Sequence, residues 1–184
     1  MRKTYRNIII FLSLAILSFP ASAQRTMSGQ PSLHISVLYN GQSVCAEAFF
    51  SRYTLGGFWH VGVEGKQYNV PVSTGGILDY IHTVVSSGYM YRVAGTRNRL
   101  VNYYIGGRVF MGVEMVDPFR RLSAYLSTGL KDYSFLYGLS PRMDLEIFIT
   151  RRCAFLLSAG LPINFSSRLG WFHYEAGLGF KVVL

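Results

Sequence analysis

In the stretch WFHYEAGLGFKVVL, residues Trp171 to Leu184, apolar and polar side chains alternate along the chain. Its even positions hold only apolar or aromatic residues, whereas its odd positions include His173, Glu175 and Lys181. Because successive side chains of a β-strand point to opposite faces, this stretch predicts a strand with one apolar face and one mostly polar face. The fold then depends on whether the apolar face meets a protein core or lipid.

The same alternation recurs in seven earlier stretches, and no helical periodicity competes with it after residue 24. These stretches begin near Ser32, Val44, Phe58, Asp79, Val101, Tyr133 and Cys153. Eight strands of this kind predict an all-β fold, an eight-stranded antiparallel up-and-down transmembrane β-barrel of the outer-membrane type. Pro141 interrupts the sixth stretch and lacks a backbone donor, so we expect a bulge or local distortion there.

Alternation alone fits a secreted sandwich or a lipocalin-like barrel as well, because their apolar faces form a core. Two features favour lipid. Aromatic residues such as Tyr133 and Phe172 lie near the expected strand ends, where interfacial girdles form. The polar faces carry glycine and charges of both signs rather than the Lys, Ser and Thr of a solvated sheet. The sequence therefore predicts that the apolar faces contact a bilayer.

The expected connections alternate in length. Residues 95–98 and 150–152 form short turns, whereas residues 65–78 and 115–131 form longer loops. Short periplasmic turns and longer extracellular loops are typical of outer-membrane barrels. We therefore expect the basic turn at Arg151 and Arg152 to face the periplasm.

The first 23 residues have the pattern of a signal peptide. Basic residues precede a twelve-residue apolar stretch (residues 8–19), and Ala21-Ser22-Ala23 fits a cleavage site. The apolar stretch is well short of the ~20 residues that a spanning helix needs. We expect cleavage after Ala23 and a barrel domain over residues 24–184. Three of the 18 basic residues leave with the signal, so 15 remain against nine acidic ones.

The two cysteines are expected to stay unpaired. Cys45 shares its face with Glu47 and Ser51, whereas Cys153 shares its face with Phe155 and Leu157. Side chains on opposite faces of a sheet cannot form a disulfide.

The polar faces predict a charged network inside the barrel. Its members are Glu47, Glu64, Arg92, Arg108, Arg142, Asp144, Glu146, His173, Glu175 and Lys181. The lumen of an eight-stranded barrel is only wide enough for its own side chains, so these charges must pair with one another. We interpret the network as a structural core and expect no pore.

Catalytic and metal sites have little support in the sequence. No two histidines have metal-ligand spacing and no Cys-x-x-Cys occurs, so we expect no metal, cofactor or catalytic residue. His34 and Ser36 share one face and leave a lipid hydrolase as an alternative. They would, however, point into the lumen and away from a lipid substrate.

Several stretches resemble the TraO family, the conjugal transfer protein of Bacteroides-type conjugative transposons. They are AQRTMSGQPSLHISV (23–37), RNRLVNYYIGGRVFMGVE (97–114), DYSFLYGLSPRMDLEIFITRRCAFLLSAGL (132–161) and FHYEAGLGFKVVL (172–184). The resemblance implies an exported, non-enzymatic component of a DNA-transfer apparatus that contacts other conjugation proteins. It implies no site residue.

The expected partners follow from the barrel and this resemblance. They are the lipid bilayer, lipopolysaccharide and other transfer proteins, without a small-molecule substrate. We expect no direct contact with nucleic acid, because the basic turns lack the interleaved aromatic residues of a stacking platform. The alternative is a free-standing outer-membrane barrel, either an adhesin-like surface protein or a lipid-modifying enzyme.

Overall fold

The computed structural model describes residues 28–71, 77–96, 99–116, 133–167 and 172–184. The signal peptide predicted over residues 1–23 lies outside these ranges. The strands are β1 (Pro31–Tyr39), β2 (Ser43–Tyr53), β3 (Gly57–Pro71), β4 (Ile77–Gly95), β5 (Val101–Val116), β6 (Tyr133–Phe148), β7 (Cys153–Gly160), β8 (Ile163–Asn164) and β9 (Glu175–Val183). No helix in the described part of the chain is long and apolar enough to cross a membrane.

The strands close into an antiparallel barrel in which each strand from β1 to β6 pairs with the next strand in the chain, and β7 pairs with β9. β1 pairs with both β2 and β9, and this last pairing closes the ring. β7 and the two-residue β8 both pair with β6 and together form one of the eight positions around the barrel. The prediction of an eight-stranded up-and-down barrel is confirmed.

Apolar side chains cover the outside of this barrel, whereas its inside holds most of the polar and charged side chains together with some aromatic and apolar ones. Ile35 is 58% exposed and Val109 is 64% exposed, whereas Ser36 is 1% exposed. A soluble sandwich would bury these apolar side chains between its two sheets. Apolar residues outside and polar residues inside are the arrangement of a membrane-spanning barrel.

The connections define two rims. The turns after β2, β4 and β6 lie at one end of the barrel, which we call the short-turn rim; the opposite end is the long-loop rim. The predicted loop over residues 65–78 is wrong, because β3 continues to Pro71 and β4 begins at Ile77. β5 likewise extends to Val116, and the rest of the predicted 115–131 loop lies outside the described residues.

Pro141 affects one edge of β6 and leaves the other intact. The pairing of β5 with β6 runs without a register shift through Gly107 opposite Pro141, so the predicted bulge is wrong on that edge. On the other edge, β6 changes its partner from β7 to β8 near Pro141. Leu161 N–H donates to the Pro141 carbonyl (3.0 Å), so the missing proline N–H faces this edge too. The seventh strand is therefore interrupted after Gly160.

The last strand is shorter than the alternation predicts. β9 begins at Glu175, although the alternating pattern starts at Trp171, which lies outside the described residues. Phe172 and Tyr174 are strongly exposed beside this strand on the long-loop side of the barrel. Their exposure agrees with an aromatic girdle at the membrane surface.

Candidate functional site: the barrel lumen

The lumen contains a continuous set of ion pairs, which we call the central ion-pair cluster. Its members are Glu47, Glu64, Lys66, Arg108, Arg142, Asp144 and Glu175, all of them buried. They come from β2, β3, β5, β6 and β9. Each occupies an inward position of its strand, so the side chains meet in the lumen. Ion pairs across the lumen therefore connect strands that are not neighbours in the sheet.

Arg142 and Glu47 form the closest pair of this cluster. Both terminal nitrogens of Arg142 contact the Glu47 carboxylate, and its Nε lies 2.9 Å from Asp144 Oδ1. Arg142 also donates to Ser158 Oγ at 2.9 Å. All three nitrogens of the planar guanidinium therefore make contacts, an arrangement that the single ammonium group of a lysine could not reproduce.

Arg108 connects the Glu47 pair to the carboxylates nearer the long-loop rim. Its Nη1 lies 2.9 Å from Glu47 Oε2, and its Nη2 lies 2.8 Å from Glu175 Oε1 and 3.1 Å from Glu64 Oε2. Lys66 Nζ then contacts Glu175 at 2.9 Å and Glu64 at 3.6 Å. Every positive charge of the cluster thus faces at least two carboxylates.

A second group of buried side chains lies between the central ion-pair cluster and the short-turn rim. Lys181 Nζ lies 3.1 Å from Glu146 Oε1 and 3.8 Å from the ring centroid of Phe58. Tyr53 and Tyr104 donate their hydroxyls to the same carboxylate of Glu146. We call Tyr53, Phe58 and Tyr104 the aromatic layer. Together with Lys181 it fills the lumen at this end.

Two of the residues predicted for the lumen lie near its ends. Arg92 is half-buried at the short-turn rim, beside a register shift between Arg92 and Ala94. His173 lies toward the long-loop rim, with its ring centroid 5.4 Å from that of Tyr68. The other eight predicted residues all lie inside the barrel and belong to the two groups described above.

Lys66 and the aromatic layer are not part of the lumen network that the sequence predicts. The sequence predicts a loop from residue 65 because Gly65 and Gln67 interrupt the apolar positions of β3, although Lys66 keeps the parity of Glu64. Tyr104 likewise shares the inward parity of Asn102 and Arg108. The parity of these positions within their strands would therefore have predicted that both side chains point inward.

The thiol of Cys45 lies near two carboxylates that already have a positively charged partner. Ligand atoms of Cys45, Glu47 and Glu64 lie within 4.8 Å of one another, which is close enough to hold a metal ion. Arg108 already contacts both carboxylates, so positive charge is supplied by the protein itself. Both cysteines are free: Cys45 is buried in the lumen and Cys153 is half-buried on β7.

The wall and the filled lumen together define a small membrane-type β-barrel. Residues 27–184 match the family described as "Conjugative transposon protein TraO". The chain belongs to this TraO family. No curated protein matches it.

Solved structures of small outer-membrane barrels share the fold. The outer membrane protein OprG from Pseudomonas aeruginosa matches with a TM-score of 0.59 and 13% identity, over 89% of this chain and 99% of that one. Neisserial surface protein A (NspA) matches with a TM-score of 0.57 and 13% identity, over 84% of this chain and 95% of that one. At such identities the likeness concerns the fold alone.

Proposed function

We propose that this protein is a non-enzymatic outer-membrane component of a conjugative DNA-transfer apparatus, acting through contacts with other transfer proteins. The family match over residues 27–184 carries the proposal, because it covers nearly the whole chain. Outer-membrane location is supported by the barrel's apolar exterior and by the signal peptide predicted over residues 1–23. Lipid, lipopolysaccharide and transfer proteins are the proposed partners.

The filled lumen supports a structural role over transport. Charged side chains from five strands meet across the lumen, and the aromatic layer follows them toward the short-turn rim. An eight-stranded barrel has space only for such side chains. We therefore infer that transferred DNA does not pass through this barrel, and that the rims and loops make the contacts that matter.

The geometry gives little support to the lipid hydrolase. His34 and Ser36 are 3% and 1% exposed and lie inside the barrel. Both ring nitrogens of His34 and the Ser36 hydroxyl lack a hydrogen-bond partner among the described residues. A nucleophile needs its base within hydrogen-bonding distance, so this pair is not arranged for acyl transfer.

Transfer frequency from a donor that lacks this gene tests the proposal. We expect transfer to be lost with normal growth and membrane integrity, and to return with the wild-type gene in trans. His34→Ala is the matched variant, because a structural protein should complement with it while the hydrolase should not. Copurification with other transfer proteins from detergent-solubilised donor membranes provides the second measurement.

Three results would contradict the proposal. Unchanged transfer in the deletion strain would leave a free-standing small barrel, such as an adhesin-like surface protein. Failure of His34→Ala to complement, despite a folded barrel in the membrane, would return the enzymatic alternative. Release of the protein from membranes by carbonate washing would refute outer-membrane insertion itself.

A further inference from the structure

An open groove interrupts the lipid-facing wall where β3, β4, β5 and β6 run side by side. Trp59, Tyr89, Gly107 and Pro141 follow one another in a single row across these four strands. All four occupy outward positions of their strands. Gly107 has no side chain, so the row of outward side chains is interrupted between Tyr89 and Pro141. We call this depression the Gly107 groove; its volume is about 490 Å³.

The fold does not require a glycine at the position of Gly107. A Cβ atom there would lie 3.6 Å from the Ser140 carbonyl oxygen and 4.0 Å from the Pro141 Cα, which are ordinary van der Waals distances. Gly106 differs, because a Cβ atom there would collide with the Tyr89 carbonyl oxygen. Glycine within a strand costs stability relative to alanine. The missing side chain of Gly107 therefore keeps the groove open and relieves no clash.

The neighbouring aromatic rings are held away from Gly107. The Tyr89 hydroxyl lies 2.9 Å from Thr54 Oγ1, in the turn after β2. The rings of Tyr89 and Trp59 pack edge to face, with centroids 4.9 Å apart. An aromatic side chain opposite a glycine often covers it, yet no atom of Tyr89 lies within 4 Å of the Cβ position of Gly107. The two rings therefore form one side of the groove and leave its floor uncovered.

The groove presents an apolar surface, although serine and arginine residues border it. Ser87 Oγ donates to the His60 carbonyl at 3.2 Å, so this hydroxyl has a partner within the wall. The Arg108 side chain is buried, and its terminal nitrogens contact carboxylates of the central ion-pair cluster. Val109 and Leu139 contribute exposed aliphatic side chains to the lining. The groove therefore suits a hydrocarbon ligand.

The depth of the groove in the bilayer matches that of acyl chains. Trp59 and Tyr89 lie toward the short-turn rim, and Trp and Tyr concentrate at the boundary between headgroups and hydrocarbon. Val109 lies in the middle of β5, near the bilayer midplane. The groove is continuous with the lipid-facing wall, so lipid reaches it directly. An unfilled groove would forfeit the dispersion contacts of its lining.

We propose that the Gly107 groove binds one acyl chain of a phospholipid from the leaflet on the short-turn side. The chain packs against Trp59 and Tyr89 and passes over Gly107 toward Val109. The phospholipid headgroup lies beyond the two rings. The proposal rests on membrane insertion of the barrel and is independent of its role in conjugation.

Quenching of Trp59 fluorescence by a brominated phospholipid measures this binding. Trp171→Phe leaves Trp59 as the single tryptophan, and Trp59 borders the groove. The barrel domain in detergent micelles is titrated with phosphatidylcholine that carries bromine on one acyl chain. We expect quenching that saturates at one lipid per barrel. Random partition of the lipid into the micelle would instead give quenching that rises in proportion to the lipid content, and this result would overturn the site.

Gly107→Leu tests the site because its side chain fills the groove without a clash at Cβ. We expect half-saturation to require about threefold more lipid or more, since each dispersion contact that the lipid loses is individually small. Gly65→Leu is the matched control. Gly65 also faces outward, nothing lies within 4 Å of its Cβ position, and it does not line the groove. This control should bind lipid like the parent barrel; equal weakening in both variants would overturn the proposal.

Heat-dependent gel mobility establishes that each variant is a folded barrel. If Gly107→Leu does not fold, Gly107→Ala takes its place and should weaken lipid binding to a smaller extent. Unbrominated phosphatidylcholine should restore the fluorescence by displacing the brominated lipid. Displacement by lipopolysaccharide but not by phosphatidylcholine would overturn the assignment to a phospholipid.

Native mass spectrometry counts the lipids and protein copies released from the same micelles. The parent barrel and Gly65→Leu should retain one phospholipid on a single chain more often than Gly107→Leu does. A dimer that Gly107→Leu dissociates would overturn the proposal, because the groove would then be an interface between two copies of this chain. Failure of lipid binding leaves the conjugation proposal intact, since transfer frequency is measured separately.

Discussion

Glu146 shows how a single buried carboxylate is stabilised inside this barrel. Its oxygens accept hydrogen bonds from Tyr53 Oη, Tyr104 Oη (3.1 Å) and Asn102 Nδ2 (3.4 Å), and Lys181 Nζ lies 3.1 Å away. Lys181, by contrast, has this carboxylate as its anionic partner and the ring faces of the aromatic layer around it. The two members of the pair therefore depend on each other unequally.

We predict that Glu146→Leu destabilises the barrel more than Lys181→Met. Removing the carboxylate leaves a buried ammonium without its anion, at a cost of about 3–5 kcal/mol. Removing the ammonium leaves a carboxylate that keeps three donors, at a cost of about 1–3 kcal/mol. Urea unfolding in lipid vesicles, followed by tryptophan fluorescence, measures both changes in the free energy of unfolding. Equal losses would mean that the hydroxyl and amide donors contribute little.

The alternation of residues along a strand predicts the direction of a side chain but not its partner. Alternation predicted that Glu146 and Lys181 point inward, because the direction of a side chain is a local property of its strand. It could not tell that they meet, because they lie on different strands and their distance depends on the tilt and register of the closed barrel. Lys66 is absent from the prediction for a simpler reason: Gly65 and Gln67 beside it interrupt the apolar positions, so the pattern predicts that β3 ends before Lys66.

For an outward-facing side chain of a strand, the medium around the barrel decides the effect of a substitution. Val109 lies in the middle of β5 and Tyr133 lies at the first position of β6. Both are strongly exposed, so burial alone would predict that either tolerates a charge. In a bilayer, the depth of the residue governs the cost.

We predict that Val109→Arg costs about 2–4 kcal/mol of unfolding free energy, whereas Tyr133→Arg costs about 0–1 kcal/mol for its charge. The difference arises because Val109 lies near the bilayer midplane and Tyr133 near a headgroup region. Reversible unfolding in vesicles, with Val109→Ala and Tyr133→Ala as the uncharged references, isolates the effect of charge. If the two arginines cost the same, the wall does not meet hydrocarbon.

Strand boundaries were the weakest part of the sequence prediction, for identifiable reasons. Gly65 to Gln67 read as a loop, yet β3 continues through them because β2 and β4 supply backbone partners on both edges. Pro141 predicted a bulge or local distortion of β6; the pairing with β5 has no bulge, and the distortion lies on the edge that β6 shares with β7 and β8. Backbone pairing, which depends on neighbouring strands, therefore overrides local composition.

For the whole molecule, the orientation in the membrane determines which partners each rim can reach. The Asn40-Gly41 turn belongs to the long-loop rim, where the Asn40 side chain accepts the N–H groups of Gln42 and Ser43. Leu55, in the turn after β2, belongs to the short-turn rim and is 94% exposed. These two positions therefore report on opposite ends of the barrel.

We predict that Gln42→Cys is labelled from outside intact cells by a membrane-impermeant maleimide, whereas Leu55→Cys is labelled only after the outer membrane is permeabilised. Short turns of outer-membrane barrels face the periplasm, which gives this orientation. Both variants are made with Cys45→Ser and Cys153→Ser, so that the introduced thiol is the reactive group. The opposite labelling pattern would reverse the orientation of the barrel.

The sequence by itself determined the fold class, the number of strands and the inward direction of most charged side chains in the lumen. These follow from an alternation with a period of two residues, which is readable within each strand. The tertiary structure decided which charges pair, where the aromatic layer lies and how β4 bulges beside Arg92. Those features join residues far apart in the chain, such as Arg108 and Glu47 at a separation of 61 residues. Only closure of the barrel, with its particular register and tilt, brings such residues together.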